Sequence, residues 1–90
     1  RIMKTYVFTY ATSLGSNEEV KILLDSINQI KDWRYDSMNA FFLKSSSAAE
    51  ELADMIISQK PNVRFFITEI TSNRQGWLPN EAWEFLKEQD

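Results

Sequence analysis

Neither cysteine nor histidine occurs in the 90 residues, and glycine and proline appear only twice each. Without cysteine there is no disulfide framework, no thiolate metal ligand and no thiol nucleophile. Without histidine there is no imidazole base and no imidazole ligand. The two isolated glycines, Gly15 and Gly76, make neither a dinucleotide fingerprint nor a phosphate loop, and both read as turn residues. Long apolar runs are missing as well. The longest, Ala40 to Leu43, has four residues, whereas a membrane helix needs about 20. No basic-then-apolar leader opens the chain, which points to a cytoplasmic protein with no membrane partner. Positive charge is not in excess either. Ten Lys and Arg face thirteen Asp and Glu, a net charge of −3, which disfavours a general polyanion binder. A local basic patch of Arg34, Arg64 and Arg74 stays open.

What is present is apolar and aromatic. A hydrophobic share of 43% with 13% aromatics is enough to exclude a disordered chain. Ninety residues make one domain. Met3 reads as the natural start, with Arg1 and Ile2 as added residues ahead of a single domain over 3–90. Lys4 to Thr12 reads as a strand with Tyr6, Phe8 and Tyr10 on one face. Ser16-Asn17-Glu18-Glu19 is a capping box. Val20, Leu23, Leu24, Ile27 and Ile30 then form one helical stripe, so the spacing predicts a helix over 16–31. Trp33–Asp36 and Asn39–Lys44 are extended pieces joined at Ser37-Met38, either a hairpin or one bent strand. Ser47-Ala48-Ala49-Glu50 reads as a second box, opening a helix over 47–59 that buries Ala48, Leu52, Met55 and Ile56. Pro61 stops it. Val63 to Thr71 is a strand, 72–76 a polar turn, and 79–88 a short helix with Pro79 in its first turn. Helices interleaved with extended segments predict an α+β domain, a ferredoxin-like sandwich built on a split β-α-β with an added C-terminal helix. A parallel three-stranded layer is the alternative.

Chemistry has few places to sit. The serines have no histidine to activate them, and Ser47 reads as a cap rather than a nucleophile. Glu18, Glu19, Glu50 and Glu51 lie in first helical turns, where the helix dipole favours negative charge. Asp32 and Asp36 are about 13 Å apart along an extended segment, too far to share one ion. Glu69 follows Val63, Phe65 and Ile67 on one strand face and reads as a sheet-end carboxylate reaching water. Tyr6, Phe8 and Tyr10 have the look of a base-stacking platform, but the basic residue and glycines of the RNA-recognition motif are missing. They read better as core. Phe66, Ile70 and either Phe41 or Phe42 then need cover on the other face, from the last helix or a second subunit. Arg74-Gln75-Gly76-Trp77-Leu78-Pro79 sets an arginine and a tryptophan on one loop, the residue types most enriched at binding hot spots. Whether Trp77 is free or tucked against the last helix stays open. Arg74, Trp77 and Tyr10 are the candidate binding residues.

Several short pieces share a resemblance. They are Phe8-Thr9-Tyr10 closing the first strand, Trp33 opening the second, Asn39-Ala40-Phe41-Phe42-Leu43, Ser47-Ala48-Ala49-Glu50-Glu51-Leu52, Phe65-Phe66-Ile67, and a last helix with Trp83 and Leu86. Together they resemble the SinR-like small bacterial and phage proteins, which are similar to the CRISPR-adaptation nucleases and the virulence-associated protein D toxins. The resemblance implies a ferredoxin-like fold and a homodimer. For the nuclease relatives it implies Mg²⁺-dependent cleavage of RNA or DNA, using an Asp directly after the tyrosine that ends the first strand. Here Tyr10 is followed by Ala11. Asp36 and Glu69 are the substitutes left under that reading, and Mg²⁺ enters only with it. The expectation is therefore a small dimeric accessory or regulatory binding protein without catalysis, cofactor or resident metal, whose partner is a protein or a small ligand.

Overall fold

β-Branched and aromatic residues at every second position make Lys4–Tyr10 the first strand, β1, with Tyr6 and Phe8 fully buried. The computed structural model describes residues 2–36 and 39–87. After β1 come a single 3₁₀ turn, Thr12–Leu14, and then helix α1, Asn17–Asp25. Strands β2, Asp32–Tyr35, and β3, Ala40–Ser45, follow. Helix α2 spans Ala49–Gln59, strand β4 Phe65–Glu69, and helix α3 Asn80–Lys87.

The four strands form one antiparallel sheet in the order β2-β3-β1-β4. This excludes the parallel three-stranded alternative. It also resolves the 33–44 region into two antiparallel neighbours, paired Trp33 with Leu43 and Tyr35 with Phe41. The junction expected at Ser37-Met38 lies outside the described residues, as does the expected helix end at Glu88. Alternation divides the sheet into two faces. Tyr6, Phe8, Phe41 and Leu43 point to the first, where Val20, Leu23 and Leu24 of α1 and Leu52 and Ile56 of α2 complete the main core. Val7, Phe42, Lys44, Phe66 and Ile70 belong to the second, which α3 covers in part.

The Ser16 box forms as expected. The Glu19 amide donates to Ser16 Oγ (3.2 Å) and the Ser16 amide to Glu19 Oε1 (2.8 Å). The Ser16 amide, then its hydroxyl, hold the Glu19 carboxyl below its ordinary value. Gly15 precedes the box at φ 142°, where an added Cβ would stand 3.0 Å from Glu19 Oε1, so this position requires glycine.

Three expectations are corrected. Helix α1 ends at Asp25, not near Lys31. The Ser26 hydroxyl donates to the Leu23 carbonyl (2.6 Å), and the chain continues in tight turns with Ile27 N–H to Leu24 O and Ile30 N–H to Ile27 O. Ile27 and Ile30 still reach the core from these turns. The cap of helix α2 falls one residue late, at Ala48 in place of Ser47, and the helix runs from Ala49. Ser47 does not cap it, because the Ser47 carbonyl accepts the Tyr6 hydroxyl (2.6 Å) and its amide donates to Ser45 Oγ (3.0 Å). The cap position falls to exposed Ala48, whose amide donates to Glu51 Oε1 (3.0 Å), which leaves half a box. Finally, Gly76, expected in a turn, lies in an irregular stretch; it has no left-handed φ, and a Cβ there would meet open space.

Candidate functional site

The chain leaves β4 on the second face. The Ile70 amide donates to Thr5 O (2.8 Å), after which residues 71–79 run irregularly to α3. Within this segment the Arg74 amide donates to Ser72 O (2.9 Å), and Arg74 Nη1 donates to Thr71 O (2.9 Å). The guanidinium is thereby pinned to its own turn, while its Nε–Nη2 edge has no partner among the described residues. Pro79 supplies the carbonyl that accepts the Ala82 and Trp83 amides (3.0 and 3.3 Å), so α3 begins just beyond it. Ala82 and Leu86 then pack inward with no or almost no exposure.

Helix α3 is too short to cover the second face. Between it, the 74–78 loop and the sheet lies a cavity of about 330 Å³. Val7, Phe42 and Ile70 line it from the sheet and Trp83 and Leu86 from α3, while Arg74 and Trp77 stand at its rim. Among the described residues that line it, Arg74 is the only charged one. Trp77 is 93% exposed. No hydrogen bond or ring contact involves it among the described residues, so the alternative in which it tucks against α3 does not hold. Sequence reasoning named Arg74 and Trp77 but missed the floor beneath them, since Val7 and Phe42 reach the site only through strand pairing.

Tyr10 lies elsewhere. It sits on the first face, stacked on Phe8 at 5.4 Å between ring centroids. Its hydroxyl donates to Asn17 Oδ1 (3.1 Å), and Asn17 Nδ2 donates to Tyr35 Oη (2.7 Å). Burial, then Tyr35, raise the Tyr10 pKa. Tyr10 thus ties the end of β1 to the start of α1 and the end of β2. With Tyr6 and Phe8 under the helices, no three-ring stacking platform is open.

The carboxylates named for the nuclease reading are also apart. Asp36 follows edge strand β2, with a side chain 6% exposed, and accepts Arg34 Nε through both oxygens (3.0 and 2.8 Å). That bond raises the Arg34 pKa. Glu69 is exposed on β4, at the opposite edge of the sheet and on the opposite face. Three strand spacings, about 14 Å, separate the two edges, so a shared ion would need a second chain. The same geometry keeps Arg34 and Arg64 from forming one basic patch. Among the described residues no group of three acidic side chains clusters as metal ligands would, and no helix is long and apolar enough to cross a membrane.

No family model, curated protein or solved structure matches the chain.

Proposed function

We propose that this chain is a non-catalytic binding module, a small dimeric accessory or regulatory protein that recognises its partner through the Arg74–Pro79 loop and the cavity beneath it. The exposure of Trp77 carries this reading. An indole left 93% in water forgoes burial worth roughly 2–3 kcal/mol, and a partner recovers what the fold leaves unused. The strand order β2-β3-β1-β4 supports the ferredoxin-like assignment, because a split β-α-β pair generates that order. It is also compatible with the SinR-like resemblance.

A second copy has a natural place at β4. The bonds from Ala11 N–H to Arg64 O and from Ile70 N–H to Thr5 O set the register. Phe66 and Thr68 therefore bond to β1, while the backbones of Phe65, Ile67 and Glu69 face outward. Phe66 (65% exposed) and Ile57 (49%) flank this open edge. Light scattering at micromolar concentration is expected to return twice the monomer mass. Wild type, Trp77→Ala and Arg74→Ala, used side by side as bait with host lysate, test the recognition loop. A partner set that weakens with both variants supports the reading. Unchanged capture by both, or metal-dependent RNA cleavage abolished by Asp36→Ala or Glu69→Ala, overturns it.

A further inference from the structure

We infer that the cavity under the Arg74–Trp77 loop takes a small planar apolar acid, a one- or two-ring molecule bearing a single carboxylate. This rests on the reading of that loop as a recognition surface and names its ligand. Size comes first. About 330 Å³ lies at the small end of the ~300–1,000 Å³ that ligand pockets occupy, which suits a ring or two. Shape and polarity come next. Val7 and Phe42 form an apolar floor, Trp83 a side wall, and Trp77 an indole at the rim. A flat ring slid between them is stacked and desolvated. Charge decides the class. Arg74 is the one charged group lining the space among the described residues, and its Nη1 bond to Thr71 O orients the guanidinium without using the Nε–Nη2 edge. That fork matches a carboxylate through two parallel hydrogen bonds. The chain is net negative, so anions gather at this site for local reasons and not through a general positive field.

The three tryptophans give the experiment an internal control. Trp77 and Trp83 border the cavity, whereas Trp33 lies on the first face with Nε1 donating to Asp25 Oδ1 (2.7 Å). Titration of the full chain with 2-naphthoate, followed by calorimetry and by the indole N–H resonances, is expected to show one saturable sub-millimolar site. The Trp77 and Trp83 signals should move and that of Trp33 should not. Arg74→Met keeps an apolar stem and removes the fork. It should weaken 2-naphthoate about tenfold while leaving the weaker binding of neutral 2-naphthylmethanol unchanged. Trp77→Ala should weaken both. Absence of saturable binding, equal shifts at Trp33, or an Arg74→Met affinity equal to wild type overturns the proposal. If 2-naphthoate fails while Trp77→Ala still releases captured partners, the ligand class falls and the recognition loop stands. If both fail, the loop assignment falls with it.

Discussion

The two faces of the sheet are built from the same four strands and end in different states. On the first, Phe8 and Phe41 have no exposure at all, and α1 and α2 seal the layer with at least five apolar side chains. On the second, α3 brings only Ala82 and Leu86 to full burial, and a cavity remains beside them. Both faces bury polar groups; on the first, Ser45 has no exposure and its hydroxyl accepts the Ser47 amide (3.0 Å). On the second, Lys44 is buried with its Nζ 4.8 Å from the Phe85 ring centroid, and the Thr5 hydroxyl is buried without a partner among the described residues. Burial is therefore concentrated on one face, and the other keeps exposed and unfilled apolar surface.

The sharpest way to break this contrast is Phe8→Ala. Its ring stacks on Tyr10 and meets Phe65 at 5.8 Å, directly across from Phe41 in the register. Removing it should cost about 3–5 kcal/mol, a large part of the roughly 5–13 kcal/mol expected of a domain this size. Urea denaturation reads the loss, with Phe8→Leu as a milder variant that stays folded. A loss under 1 kcal/mol would mean that the first face is not the stabilising one.

Leu86→Ala probes the second face with a comparably buried residue. The expected loss is about 2 kcal/mol, at the low end for such a truncation, because the adjoining cavity gives the neighbours room to relax. If Leu86→Ala costs as much as Phe8→Ala, the two faces are energetically alike and the division of labour fails. Thr5→Val goes the other way. It replaces a buried hydroxyl that has no partner among the described residues with a methyl of similar size, and should stabilise by about 1 kcal/mol. The urea midpoint should rise with an unchanged slope; a fall would show that the hydroxyl is bonded in solution.

The same division explains what could be read from the residues alone. The Ser16-to-Glu19 box is local, needs nothing from the rest of the chain, and forms as read. The Ser47 box has an equally good local signature and fails, because Tyr6, 41 residues away, takes the Ser47 carbonyl. Leu14 is fully buried yet sits in a three-residue turn with no periodicity to announce it. At the candidate site, Arg74 and Trp77 were legible as residue types on a polar loop. Their floor was not, since β1 and β3 contribute Val7 and Phe42 from positions 67 and 32 residues before Arg74. Tyr10 shows the limit of residue type as a guide. Alternation with Tyr6 and Phe8 already placed it on the first face, away from the loop it was grouped with.

The smallest effect on folding belongs to the residue given the largest role in recognition. Trp77→Ala should change stability by no more than about 0.5 kcal/mol, as for a surface substitution away from any packed feature. The indole is almost wholly exposed and no described residue bonds to it. Gly76 beside it has open space around its Cα and no left-handed φ, so truncating its neighbour strains nothing. Elsewhere a tryptophan-to-alanine change costs 3–5 kcal/mol when the ring is packed, so the two outcomes are well separated. A loss above 2 kcal/mol would place Trp77 in the fold, with its ring packed in solution, and would return the second face to the sealed condition of the first. A negligible loss together with weakened ligand binding would assign the indole to recognition alone, because one substitution would then have separated the two properties that the faces divide between them.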